Sequence, residues 1–472
     1  MLTMLKDKEF LKRFFKVSFP VMLHAFILFI VNFIDNIMVG SLSNESVGGV
    51  YAANQATYIL MIAGYGVIIG AGIFMQQFNG ANDEEHMRQA FRYKIIIMIL
   101  FTMVSMIIYY TLGKHLVWFY CHSDPNSKLI YQEGIKYLNI IILSYIPYCL
   151  SMIYTTTVRE IGQTKYALIA GALAFLLNII FNSIFIYGFN MGVVGAALGT
   201  IIARVVELIV IVYICHKKKF SFCKKIFSHF KIEKKLFYNI TKKGSIFLLN
   251  ELFWVFGMTL LSLAYSQRSG VLSALSVVNS ISNLFNIIFQ GLSIGIGVLV
   301  GSYLGQSKFD EAKDYTKKVY YLGFLLSLIF GILIVIFSPI IPNMFKEIAD
   351  SQKSLATTLL IIYGSYIWIG CLYTCCYMTL KTGGKAITTI LIDSGLTWVI
   401  SVPVAWFLVL NTNVNLLVIY GSILSVDLIK FIFAFIFIRR GTWLKNLTKV
   451  NLEVWVWVFY QLVLKVVLKI LK

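Results

Sequence analysis

Charged residues are scarce in this chain. Of 472 residues only 13% are Asp, Glu, Lys or Arg and 59% are hydrophobic, against about a quarter charged and roughly half apolar in soluble globular proteins. A water-soluble fold cannot hide that much apolar side chain. Alternation of apolar and polar residues is missing as well: runs such as Ile95 to Tyr109 and Tyr321 to Phe337 do not alternate, which excludes the strands of a membrane barrel. Cysteines number seven, and Cys149, Cys215, Cys371, Cys375 and Cys376 lie in or beside apolar segments, so no disulfide framework is expected. Cys215, His216 and Cys223 lack zinc-site spacing and stand among lysines that would repel a cation, so no metal centre is expected. No G-x-x-x-x-G-K-S/T sequence occurs, which leaves an ion gradient rather than ATP as the energy source and implies no cofactor beyond a coupling ion. No nucleophile-base motif or pair of metal ligands points to an enzyme. The first apolar run, from about Ser18 to Leu42, is too long for a signal-peptide core and lacks a small-residue cleavage site, so it is expected to remain as a helix.

What the chain does have is a series of apolar runs about twenty residues long, each able to cross about 30 Å of hydrocarbon as a helix. The expectation is an all-α membrane protein with twelve transmembrane helices, near 18–41, 50–79, 92–113, 135–158, 165–187, 193–214, 244–266, 271–304, 319–341, 355–380, 387–410 and 416–438. The formal charge of +20 is placed as membrane topology requires. Lys6, Lys8, Lys12, Arg13 and Lys16 precede the first span, about ten lysines fill Cys215 to Lys243, and the loops 41–49, 188–192 and 411–415 have no Lys or Arg. Both termini and the middle loop are therefore expected on the cytoplasmic side. Nucleic-acid binding is disfavoured, because the basic residues are scattered and no recognition motif accompanies them. The boundaries expected are a cytoplasmic segment 1–16, a first lobe 17–216, a Lys-rich linker 217–243, a second lobe 244–440 and a tail 441–472. Within that tail Trp455, Trp457, Lys465, Lys469 and Lys472 suit a helix lying in the interface.

The two lobes are related. Asn54, Gly66, Gly70, Gly72 and Gly80 match Asn279, Gly291, Gly295, Gly297 and Gly305 at one constant offset, and an acidic turn with a basic segment follows each block. Six spans per lobe is an even number, so both copies enter the membrane from the same side. The repeat then implies two six-helix bundles related by a pseudo-two-fold axis along the membrane normal. The spacing of Gly66 with Gly70, and of Gly291 with Gly295, favours close helix packing over nucleotide binding.

Ionisable groups within spans are costly and mark function by default. Asp35, Arg204, Glu207, Glu251, Asp393 and Asp427 qualify, and His24 joins them as a titratable group. Asp35 on helix 1, Asn178 and Asn182 on helix 5 and Thr200 on helix 6 fall at similar depths, and the i, i+4 spacing puts both amides on one face. Their oxygens suit a hard cation, and a lone carboxylate suits a proton; structural hydrogen bonding between helices is the competing explanation. Glu251, placed one to two turns from the inner end of helix 7, is a second candidate for ion or substrate, with His24 at the equivalent place in helix 1. Asp393 has no evident local partner and is a weaker candidate. Arg204 and Glu207, at i, i+3, read as a neutralised pair. Pro20, in the first turns of helix 1, is either ordinary at a helix start or a bend that responds to the charge on Asp35. Of the aromatics, including Phe26, Phe29, Phe33, Tyr137, Phe253, Trp254, Phe256, Tyr373 and Trp398, most are expected to face lipid or neighbouring helices and some to line a cleft that accepts organic cations.

Several segments together resemble the multidrug and toxic compound extrusion (MATE) family, within the larger group that includes flippases of lipid-linked oligosaccharides. They are Pro20 with FIDNIMVG around Asp35, GAGIFMQQFNGA, REIGQTKYA, and NIIFNSIFIYGFNMGVVGAALGTIIAR. The resemblance implies a V-shaped pair of six-helix bundles and antiport of organic cationic or amphipathic compounds against Na+ or H+. It implies a cation site at Asp35, Asn178, Asn182 and Thr200, and an acidic role for Glu251. Two positions depart from the family: Tyr363 to Leu380 contains no acid, and Ser245 stands where a proline is common. A flippase for a polyprenyl-linked sugar would want several basic residues in its cleft. Only Arg204 and Lys430 are expected inside spans, so a monomeric exporter of small organic cations, in contact with membrane lipid, is the reading the sequence favours.

Overall fold

A computed structural model describes residues 7–122, 126–226, 228, 230–268, 271–345 and 349–449. Among them are twelve helices long and apolar enough to cross a membrane: α1 Lys8–Gly40, α2 Asn44–Gly80, α3 Glu84–Cys121, α4 Ser127–Glu160, α5 Thr164–Gly188, α6 Gly192–Lys217, α7 Lys234–Ser266, α8 Ala274–Gly305, α9 Phe309–Phe337, α10 Asp350–Thr382, α11 Ala386–Asn411 and α12 Leu416–Arg439. The chain is an all-α, multi-pass membrane protein. The segment expected to form an interfacial helix, Val454 to Lys472, lies outside the described residues.

The apolar runs locate the spans, and the helices overshoot them. Helix formation needs only satisfied backbone hydrogen bonds, so a helix continues past the hydrocarbon boundary until a cap ends it. Asp83 caps α3 by accepting from the His86 amide at 3.1 Å, and Ser43 caps α2 by accepting from the Ser46 amide at 3.0 Å. The overshoot corrects two expectations. Helix α1 begins at Lys8, so Pro20 is interior and not at the helix start, and the Lys16 carbonyl loses its ordinary amide donor. Helix α7 begins at Lys234, so Glu251 lies deep within it and not one to two turns from its end.

The fold divides into two compact units, one of Met1–Met22 with Leu249–Leu447 and one containing Leu23–Leu248. Lobes cut at the loops, 17–216 and 244–440, follow chain order, whereas packing divides α1 and α7 internally. The glycine repeat accounts for this. A Cβ on Gly70 of α2 would lie 2.5 Å from the Gly244 Cα at the start of α7. At the repeat-related place, a Cβ on Gly295 of α8 would lie 2.4 Å from the Phe14 ring and 2.6 Å from the Ser18 hydroxyl at the start of α1. Each unit thus seats the beginning of a first helix on a glycine notch, where any side chain would force the backbones apart.

The stretch 217–243, polar in composition and expected as a linker, is partly folded onto its unit. Phe222 is fully buried against Phe91. The Arg92 guanidinium donates to the carbonyls of Ile226, Lys231 and Ser228 at 2.9–3.1 Å, and Gln89 accepts from the Glu233 amide at 2.9 Å. One arginine therefore satisfies several carbonyls that a loop cannot pair internally.

Candidate functional site

The unit containing Leu23–Leu248 encloses a cavity of about 450 Å³. Its wall includes Asp35, Asn178, Asn182 and Thr200, and the tyrosines Tyr58 and Tyr137. The volume lies in the range of small-molecule pockets, which pair an apolar lining with a few convergent polar groups.

The four residues singled out by depth and spacing come together. Asn182 donates from Nδ2 to Asp35 Oδ1 at 2.8 Å and, more weakly, to Asn178 Oδ1 at 3.4 Å; Asn178 in turn donates to the Thr200 hydroxyl at 3.3 Å. Thr200 returns its proton to the Ala196 carbonyl at 3.0 Å, leaving its lone pairs toward the amides. Asn178 and Asn182 are buried, at 3% and 1% exposure, whereas Asp35 is half-buried at the cavity wall. Asn182 Oδ1 is buried without a hydrogen-bond partner. It fits against α6 because residue 199 is glycine: a Cβ there would lie 2.0 Å from that oxygen. An unpaired amide oxygen next to a carboxylate is a negative locus suited to a cation.

Cation pairing does not explain Asp35. Arg204, also on the wall, pairs with Glu207 at 2.8 Å and stacks over the Tyr148 ring at 5.1 Å, the neutralised pair its spacing indicated. Among the described residues Asp35 has an amide partner and no salt bridge, so the cavity wall carries one carboxylate outside an ion pair.

His24 and Pro20 do not line this cavity. His24 Nδ1 lies 3.0 Å from an Arg159 guanidinium nitrogen and its Nε2 packs against Gly171, where a Cβ would sit 2.3 Å away. Accepting from the guanidinium at Nδ1 fixes the imidazole as a neutral ring with its proton on Nε2.

The other unit holds Glu251 and Asp393, and both are paired. Glu251 lies 3.0 Å from the Lys381 ammonium. Asp393 accepts from the Tyr373 hydroxyl at 2.9 Å and from the Asn250 amide at 3.1 Å, with the Lys430 ammonium at 3.8 Å. Asp393 thus has no local partner, as its surroundings in sequence indicated, and is held instead by side chains of α7, α10 and α12. Asp427 is 3.8 Å from Lys430 as well.

The expectation that only Arg204 and Lys430 lie inside spans is also corrected. Lys94 falls within the expected span 92–113, and Arg159 and Lys381 lie one residue beyond 135–158 and 355–380, in helices that continue past them. Lys94 is fully buried, paired with Glu160, and donates to the hydroxyls of Thr157 at 3.0 Å and Thr156 at 3.3 Å. The signal available in sequence was an acid and a base each at the edge of an apolar run. The seven cysteines are buried free thiols, and among the described residues no group of three His, Cys, Asp or Glu side chains is placed to hold a metal.

The family model MatE matches residues 20–184 and 245–407, one block in each half of the chain. The chain is 26% identical over 366 residues to the probable multidrug resistance protein NorM of Pasteurella multocida, covering 75% of this chain and 77% of that protein. It is 21% identical to the uncharacterized transporter YisQ of Bacillus subtilis, covering 93% and 96%. A structure of MATE in the bent conformation superposes with a TM-score of 0.83 at 19% identity, covering 91% of this chain and 95% of that one. A MOP superfamily transporter from Pyrococcus furiosus, described as having a binding pocket of reversed polarity, superposes at 0.81 with 19% identity, over 91% and 95%.

Proposed function

The chain belongs to the MatE family, and from that premise we propose that it is an antiporter that exports organic cationic or amphipathic compounds in exchange for Na+ or H+. The relative from Pasteurella multocida carries the name of a multidrug resistance protein, and the same substrate class suits this cavity. The observation that carries the proposal is the cavity wall itself: Asp35 held by the Asn182 amide at 2.8 Å, with the Arg204 guanidinium on the same wall engaged by Glu207. A carboxylate without a cationic partner beside tyrosine rings is the chemistry that receives either an inorganic cation or an organic one.

Exchange follows if the two ligands favour different conformations. A ligand shifts a conformational equilibrium only by its difference in affinity for the two states. The coupling ion at Asp35 stabilises one state, the organic cation stabilises the other, and neither crosses without the other's return. Lipid-linked anionic sugars fit this cavity poorly, because its arginine is already neutralised. We place the chain in a bacterial cytoplasmic membrane with both termini inside, working as a monomer on small molecules. No catalytic step belongs to this scheme.

The test is ethidium movement in proteoliposomes under a Na+ gradient or a proton gradient, each imposed alone. The proposal expects one of them to drive ethidium against its concentration difference. Ethidium flux indifferent to both gradients would refute it.

A further inference from the structure

Repeat-related helices carry polar groups at related places. Gly162 and Gly384, both at positive φ, stand just ahead of α5 and α11, and counting from them aligns Gly171 with Asp393. His24 packs on Gly171, where a Cβ would lie 2.3 Å from its Nε2, and Asn250 donates to Asp393 at 3.1 Å. The contact of α7 with α11 is therefore the counterpart of the contact of α1 with α5. Asp35 meets Asn182 on that same kind of seam, eleven residues further along both helices, which is about three turns and returns to the same faces. Each seam thus carries a carboxylate held by an asparagine amide, with acid and amide exchanged between the two helices.

The next helix of each repeat completes the set differently. Beside Asp35, α6 supplies the Thr200 hydroxyl; beside Asp393, α12 supplies the Lys430 ammonium. Lys430 Nζ donates to the Thr397 hydroxyl at 2.8 Å and lies 3.8 Å from Asp393 Oδ1 and 3.8 Å from Asp427 Oδ1. Thr397 gives its own proton to the Asp393 carbonyl at 2.8 Å, so its oxygen is free to face a cation. A lysine that served only to neutralise Asp393 would contact it directly. This one takes its shortest bond from a hydroxyl and stands equally far from two acids, as an ion centred among oxygen ligands does. Asp393, Thr397 and Lys430 are all buried, at 8%, 2% and 7% exposure. The helix that carries two of them opens into wide π turns at Leu391–Gly395 and Thr397–Ser401, an irregularity common at functional sites.

We propose that the Lys430 ammonium is the resident cation of a second ion site formed by Asp393, Asp427 and Thr397, and that exchangeable ion binding is thereby confined to Asp35. The inference deepens the antiport reading and rests on it for the role of Asp35. A cation tethered by its own side chain cannot leave the protein, so this site contributes nothing to the exchange and a single ion moves per cycle. Lys430 is the residue that sets this limit.

The test is thermal unfolding of the purified protein in sodium, ammonium or N-methylglucamine chloride, the last a cation too large for the space a lysine ammonium leaves. Asp35→Asn silences the first site, and its unfolding temperature is expected to be the same in sodium as in N-methylglucamine. Adding Lys430→Ala lowers that temperature in N-methylglucamine, and sodium or ammonium, entering the vacated place, raises it again by several degrees. Adding Asp393→Asn as well abolishes the recovery. A sodium-dependent shift in Asp35→Asn alone overturns the inference, because it reveals a second exchangeable ion. So does a Lys430→Ala variant that neither sodium nor ammonium restores, including one that fails to fold in every salt. None of these readouts involves transport, so ethidium flux indifferent to both gradients would refute antiport and leave them unchanged.

Discussion

Replacing Gly199 by alanine tests whether the placement of Asn182 matters to transport. The added Cβ would lie 2.0 Å from Asn182 Oδ1, 3.0 Å from its backbone nitrogen and 3.1 Å from its Cγ. Ordinary van der Waals contact is wider than all three, so the amide must rotate or α5 and α6 must separate. Overpacking of this kind costs about 1–3 kcal/mol, and losing a hydrogen bond to a charged group costs about 1.5–3 kcal/mol. The second cost falls on the bond from Asn182 to Asp35, and at 1.4 kcal/mol per factor of ten it weakens ion binding by about tenfold or more. The assay is ethidium efflux from proteoliposomes as a function of coupling-ion concentration. Gly199→Ala should insert normally and need about tenfold more ion for half-maximal efflux. Gly188→Ala, where a Cβ would meet nothing within 4 Å, should behave as wild type. An unchanged ion dependence in Gly199→Ala would show that the amide geometry is irrelevant.

Three further outcomes follow from contacts outside the cavity. Glu160→Gln leaves the fully buried Lys94 ammonium without its counter-charge, at a cost of about 3–5 kcal/mol; thermal unfolding in detergent should occur well below wild type, and adding Lys94→Met should restore most of the loss. Arg92→Ala removes the donor to the carbonyls of Ile226, Ser228 and Lys231, so trypsin should cut within 217–233 much faster while ethidium efflux persists. Asp7, just ahead of α1, is held below the usual carboxylate range chiefly by its hydrogen bond from Lys318 at 2.8 Å. A lowered folded-state value means that this tether is fully present above the ordinary aspartate range and is lost as pH falls through the lowered value. Amide exchange in the first turns of α1 should therefore rise on acidification, and in Asp7→Asn it should be fast at all pH values.

Much of this architecture was legible in the residues because lipid imposes a simple rule: backbone polar groups must pair within a helix, so long apolar runs become spans. The Asp35 site was legible for a related reason. Asn178 and Asn182 lie one turn apart, and equal depth on neighbouring helices brings their partners into reach. What escaped were charges at the edges of runs. Glu160 and Lys381 sit just beyond the expected spans 135–158 and 355–380, where hydropathy falls off, and read as loop residues, although the helices continue and bury them. Asp393 escaped because its partners Asn250, Tyr373 and Lys430 come from three other helices. The division of α1 at Met22 and of α7 at Leu248 escaped because the glycine notches at Gly70 and Gly295 are visible in sequence only as a repeat, without the segments that fill them.

The central claim is that Asp35 takes up the coupling ion. Asparagine at this position keeps the shape and an acceptor for Asn182 and removes only the charge. Ethidium efflux by Asp35→Asn, in proteoliposomes under each imposed gradient, should lose all gradient-driven movement while the protein inserts and binds ethidium; efflux at the wild-type rate would contradict the account.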